Sequence, residues 1–266
     1  MSHFNAPILE FIGGCHVAGY LVEEGCSFVD HLARVFHSTE VIKSPYATIG
    51  KIAKHAPLTR QFRSKHVFLQ LGNFEFSASW KHMLATTVGI KAELSSLSSL
   101  YSYSSQKQKP ASTAEAISAA VSPRRVTVGA EAPTPSVGTG LSAMDLIKVL
   151  VGSTLYVLTW VVLRKYRQQF NLINQLIQEN PQTTFVCISP FPAVASTHNL
   201  LRRLGGLILK HRFDATPNLR WVDSHDILRR DYAFLPDGIH LNKEGHKALA
   251  DDLYAVCRPT QSLIPG

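Results

Sequence analysis

Ile8-Leu9-Glu10-Phe11-Ile12-Gly13-Gly14-Cys15-His16-Val17-Ala18-Gly19-Tyr20 is the stretch that decides the fold. A run of branched and aromatic side chains stopped by glycine reads as a short buried strand. The chain then passes towards a helix, which puts Cys15 at an elbow between the two. Backbone N–H groups at such an elbow can face an oxyanion, and the positive end of the helix dipole favours a thiolate.

The same alternation repeats outward. A helical pattern carries Phe28, Leu32 and Val35/Phe36 on one face, with Ser27 as its cap. Glu40 to Lys43 reads as a second strand, and Lys65 to Leu71 as a third, ended by Gly72. A long helical region runs from Met144 towards Asn180 and stops at Pro181. Thr184 to Ser189 is the fourth strand, His198 to about His211 a helix, and Leu219 to Asp223 the fifth strand. A closing helix spans Asn242 to Val256 with Asn242 as cap. Strands alternating with helices predict a parallel sheet covered on both faces, an α/β fold. In such sheets catalytic groups gather at the carboxyl ends of the strands.

The totals agree. The chain has 266 residues, 45% hydrophobic and 17% charged, which predicts one large globular domain over 1–266. Residues 98–140 are rich in Ser, Pro, Ala, Thr and Gly, and cannot bury enough apolar surface to offset their ordering entropy. They read as an insertion. The net charge is +8, but the basic residues fall into small groups such as Arg164-Lys165-Tyr166-Arg167, Arg202-Arg203 and Arg229-Arg230. Without interleaved aromatics this predicts an anion-friendly surface and no nucleic-acid partner.

Val149 to Leu163 is an uncharged run of 15 residues, diluted by Gly152, Ser153, Thr154 and Thr159. A spanning helix needs roughly 20. The expectation is no stable membrane span but a buried or oligomer-interface helix over 146–163. Four cysteines form no C-x-x-C pair or zinc pattern, so no metal is expected. The first residues lack a signal-peptide pattern, and cytoplasmic residence with free thiols is the expectation. Cys26, Cys187 and Cys257 read as buried small hydrophobes.

Chemistry collects at three places. Cys15 is a nucleophile, or a small residue packed under the first turn. His16 beside it touches substrate or is a solvated turn residue. After the third strand, Gly72-Asn73-Phe74-Glu75 offers Asn73 and Glu75 as substrate contacts, or as a turn residue and an exposed acid. Near the end stands Pro236-Asp237-Gly238-Ile239-His240-Leu241-Asn242-Lys243-Glu244-Gly245-His246. An aspartate three residues before a histidine can orient the imidazole as a base; the bland alternative is a capping loop. His225 and Asp226 read as loop surface, and His246 as lying on the closing helix.

These blocks resemble those of the SGNH (GDSL-like) hydrolases. Gly13-Gly14-Cys15 is similar to the opening of G-D-S-L-x-x-G, with Gly14 on the aspartate and Cys15 on the nucleophilic serine. Gly72-Asn73-Phe74-Glu75 resembles G-x-N-D with Phe74 on the oxyanion asparagine. Asp237-Gly238-Ile239-His240 is similar to D-G-x-H, and Gly50 stands for the lone glycine of the second block.

The resemblance implies a flavodoxin-like three-layer α/β/α sandwich with a parallel five-stranded sheet and neither metal nor organic cofactor. It further implies an acyl hydrolase (esterase) or acyltransferase acting on small-molecule or carbohydrate acyl esters. Cys15 would attack, His240 would take the proton, Asp237 would hold His240, and Cys15, Gly50 and Asn73 would face the oxyanion. A cysteine gives a thioester, which passes readily to an amine or a thiol. The departures at Gly14 and Phe74 suit an alternative, a non-catalytic or coenzyme-A-binding GDSL-like protein linked to polysaccharide biosynthesis.

Overall fold

The computed structural model describes residues 7–46, 48–55, 62–76, 142–162, 164–214, 216–228 and 233–258, and the insertion expected at 98–140 lies outside them. Every described residue belongs to one compact unit, formed by Met1–Ile90 with Gly140–Gly266.

Five strands, β1 (Ile8–Gly13), β2 (Glu40–Pro45), β3 (His66–Gln70), β4 (Thr184–Ile188) and β5 (Leu219–Val222), pair in parallel in the order β2-β1-β3-β4-β5. Residues alternate between the two faces because strand side chains have period two. Leu9, Phe11, Phe68, Val186 and Ile188 face one core, closed by α2 (Phe28–Val35) and α8 (Lys243–Cys257). Ile12, Val67, Leu69, Phe185 and Cys187 face the other. That side is covered by α3 (Ile49–His55), α4 (Ala143–Tyr156), α5 (Arg167–Gln178) and α6 (Ser196–Phe213). Two short helices, α1 (Cys15–Ala18) and α7 (Ser224–Ile227), follow β1 and β5. The expected α/β/α architecture with a five-stranded parallel sheet is present.

Local signals explain the element ends. Ser27 accepts from the Asp30 N–H while the Asp30 carboxylate accepts from the Ser27 N–H, a complete capping box. The Asn242 side chain accepts from the Gly245 N–H at 2.9 Å and opens α8. A Cβ at Gly205 would collide with the ring of Phe76, so α6 can pack against this aromatic only through a bare backbone.

Four expectations are corrected. The helix expected from Met144 to Asn180 is broken: α4 continues into a π-helical segment, Val157–Val162, and the Lys165 N–H bonds the Thr159 carbonyl. Arg164 and Tyr166 then adopt left-handed φ values of 50° and 59°. Trp160 stacks obliquely on Phe76, Tyr166 and Phe170, an aromatic cluster seated at the break that helical periodicity on either side conceals. Val35 is exposed, and Phe36 carries that face instead, edge-on to Tyr254. Cys26 is only half-buried, while Cys187 and Cys257 are buried as expected. His225 is buried at the start of α7 rather than lying on a loop surface; Asp226 beside it is exposed.

Candidate active site

The order β2-β1-β3 places a switch point beside β1, where connections leave in opposite directions and where sheets of this kind form a crevice at the carboxyl ends. β1 approaches β3 so closely there that a Cβ at Gly13 would lie 2.8 Å from the Gln70 Cβ and from Val17 Cγ2. Only glycine fits. The next N–H, of Gly14, donates to the Gln70 side-chain oxygen at 3.1 Å. This bond ties the β1–α1 elbow to β3 and fixes where Cys15 begins α1. In the resembling family an aspartate stands at the position of Gly14; here the neighbouring strand anchors the elbow.

Cys15 is half-buried, and its sulfur lies 3.4 Å from Nδ1 of His16. Burial pushes its thiol pKa up, against the pull of the Arg202 charge and of the His16 and Cys15 N–H groups. The thiol therefore rests protonated at neutral pH and needs a base. Desolvation outweighs the helix dipole at this elbow.

His16 is neither solvated nor peripheral. It is 2% exposed and packs edge-on to Phe191, with ring centroids 4.5 Å apart. Burial, then the neighbouring His246, His240 and Arg202, hold its pKa well below the ordinary histidine value. It is a neutral ring. Asn73 fixes its role: the Phe191 N–H donates to Asn73 Oδ1 at 2.6 Å, which turns the amide nitrogen to His16 Nδ1 at 3.4 Å. Nδ1 is thus an acceptor whose single lone pair is shared between the Asn73 amide and the Cys15 S–H.

On the opposite rim, the chain from Leu235 to His240 closes on itself through Leu235 N–H to His240 C=O and Gly238 N–H to Leu235 C=O. Asp237 Oδ1 accepts from the Ile239 and His240 N–H groups, both at 2.9 Å, and Oδ2 meets His240 Nδ1 at 2.6 Å. Partial desolvation would raise the Asp237 carboxyl, but these N–H groups and the His240 ring outweigh it and hold its pKa below the usual range. With an ionised carboxylate on Nδ1, the His240 proton sits there and Nε2 is left as the base. The His240 and His16 ring centroids are 5.4 Å apart, and Tyr20 lies 5.2 Å from His240.

The structure therefore brings Cys15, His16, Asn73, Asp237 and His240 to one crevice. Among the described residues the sulfur hydrogen-bonds His16 and not His240. Glu75 and Gly50 stand apart from this group. Glu75 is buried, and its Oε1 accepts from the Ile49 N–H at 2.7 Å, so it caps α3 instead of meeting substrate or solvent. Burial pushes its pKa up to about 7. Gly50 sits in the first turn of α3, where its nearest side chain is the Tyr166 ring, and no described contact joins it to Cys15.

Three residues of the crevice escaped the sequence. Gln70 is a lone amide in an apolar strand, and that was a usable signal. Arg202 reads from sequence as half of a surface pair, yet it is 4% exposed. Its Nη1 donates to the Phe191 and Pro192 carbonyls at 3.1 and 3.2 Å, and its charge reaches Cys15 and Asp237. His246 lies on the closing helix as expected but is fully buried, and its Nδ1 accepts from the Phe28 N–H at 3.1 Å, 6.0 Å between ring centres from His16.

No family profile and no curated protein matches the sequence. Solved structures do match in fold. A phospholipase A1 from Streptomyces albidoflavus NA297 superposes with a TM-score of 0.52 at 9% identity, over 94% of this chain and 99% of that one. An extracellular lipase from Streptomyces rimosus gives the same figures. A lipolytic G-D-S-L family protein from Desulfitobacterium hafniense DCB-2 has a TM-score of 0.50 at 10% identity, covering 94% and 99%. The chain has the fold of the GDSL/SGNH lipolytic hydrolases.

Proposed function

We propose that the chain is an acyl hydrolase or acyltransferase of the SGNH type, with Cys15 as nucleophile and His240, oriented by Asp237, as its base. The observation that carries this reading is the 2.6 Å Asp237–His240 pair at the same crevice as a thiol set on a strand–helix elbow. An acyl ester small enough to reach the elbow is the substrate class, a carbohydrate ester included.

In the reaction Cys15 turns from His16 and gives its proton to Nε2 of His240 as the sulfur attacks the carbonyl carbon. The C=O π electrons move onto oxygen, which the Cys15 and His16 N–H groups and the Asn73 amide nitrogen stabilise. Collapse breaks the C–O bond, and the leaving alkoxide takes the proton from His240. A thioester remains on Cys15. Water, an alcohol or an amine, deprotonated by His240, then releases the acyl group and restores the thiol. Asp237 stays ionised and holds the imidazolium. Arg202, bonded to the Phe191 and Pro192 carbonyls, keeps the wall of the crevice in place and favours negative charge on sulfur.

Intact-mass measurement after incubation with activated acyl esters tests the reading. An acyl adduct is expected on Cys15 and lost in Cys15→Ala; a chain that stays unmodified while the ester is untouched contradicts it. One observation favours a second reading, a binding module: the sulfur rests on His16 and not on His240. Coenzyme A and acyl-coenzyme A are the ligands to titrate, with saturable binding and no turnover as the outcome that would establish it.

A further inference from the structure

The helix Ala143–Val162 is 20 residues long with a mean hydropathy of 1.6, yet only 22% of its apolar window is buried. Its inner side is lodged in the core, where Tyr156 and Trp160 pack on Phe76. Its outer side is apolar and open: Ile147, Leu150, Val161 and Val162 are exposed, Leu150 at 59% and Val162 at 62%. An apolar face of this length marks an interaction surface. The charge beside it names the partner. Where the helix ends, a cavity of ≈ 290 Å³ is lined by Val161, Arg164, Arg167, Ile208, His211 and Arg212, with no carboxylate in that lining. Left-handed backbone at Arg164 and Tyr166 sharply redirects the chain there, and Arg212 Nη2 donates to the Trp160 carbonyl at 2.5 Å. A second copy of the chain, itself carrying a net charge of +8, would supply no surplus of opposite charge.

We propose that this face docks on an anionic phospholipid surface, the helix lying along the acyl boundary and the arginine pocket holding lipid phosphate. An exposed apolar helical face flanked by basic residues binds anionic membranes in this way without crossing them. The inference stands apart from the role of Cys15.

Sedimentation of the full chain with vesicles tests it. Mixed phosphatidylglycerol–phosphatidylcholine vesicles are expected to carry the protein down, pure phosphatidylcholine vesicles much less, and high salt should release it. Arg164→Glu with Arg167→Glu is expected to weaken binding about thirtyfold or more, as loss of two headgroup contacts predicts. Ile147→Glu with Leu150→Glu, at exposed positions, should abolish binding while thermal melting is unchanged. Wild-type protein that ignores mixed vesicles overturns the proposal, whatever the variants do. So does binding indifferent to both double variants, a dimer that Ile147→Glu dissolves in the absence of vesicle binding, or uptake of inorganic phosphate alone.

Discussion

Nδ1 of His16 lies 3.4 Å from the sulfur of Cys15, while His240, the ring held by Asp237, sits across the crevice with its centre 5.4 Å from that of His16. Two imidazoles thus stand side by side at this elbow, and the sulfur contacts the first. They differ in kind. His16 is buried and held neutral; His240 is partly open and braced by a carboxylate. A base that must carry a proton through the reaction needs the second environment.

That difference ranks two variants. With p-nitrophenyl acetate as substrate, His240→Gln is expected to lower kcat/KM by about 10²–10⁴-fold. His16→Gln retains an acceptor near the sulfur and is expected to lower it by less than about tenfold, roughly the loss of one neutral hydrogen bond. The reverse order, read from steady-state rates, would make His16 the base.

Asp237→Asn keeps an oxygen for the Ile239 and His240 N–H groups but sets an amide against Nδ1. The ring then favours the tautomer with its proton on Nε2, which cannot accept from the thiol. A fall of about 10²–10⁴-fold in kcat is expected with little change in melting temperature. Equal activity in the variant would show that the pair is only a capping loop.

Glu75 gives a stability test with a definite sign. Its folded pKa, about 7, exceeds its ordinary value of 4.5, so the folded state holds the proton more tightly than the unfolded chain. Stability associated with this group is intact below pH 4.5 and declines as pH rises to 7. The loss is on the order of 3 kcal/mol. Glu75→Gln keeps an acceptor for Ile49, so it should melt higher than wild type at pH 8 and nearly alike at pH 4.5. Melts that stay parallel across this window would refute the burial argument.

Gly205→Ala adds a methyl where the Phe76 ring already lies. Overpacking of a buried helix–aromatic contact costs about 1–3 kcal/mol. Denaturant unfolding should report that loss with an unchanged m-value; an unaltered midpoint would mean that Phe76 can swing aside.

Much of this fold was legible because its signals are local. A branched run stopped by Gly13, the Ser27 cap, the Asn242 cap and the D-G-x-H loop each depend on neighbours in the chain. What escaped depends on partners far away. The redirection of the chain at Arg164 and Tyr166 sits beside the aromatic cluster around Trp160, and nothing in the helical spacing announces it. His16 is buried by Phe191 and His246, which arrive from other elements. Arg202 and Arg203 are adjacent and alike in sequence; only the packing of α6 selects the first for the interior. The candidate site was legible as types of residue, Cys15, Asp237 and His240, but the choice of imidazole that the sulfur touches was not.

The Asn73 side chain is a two-ended group with a donor at one end and an acceptor at the other. A single peptide N–H, at Phe191 and 118 residues further along, settles which end faces His16. Were that loop to shift and release its grip, the amide could turn over and present oxygen. The donor that now faces His16 would become an acceptor, so the polarity of this end of the site is set from the loop after β4 and not from the elbow that carries Cys15.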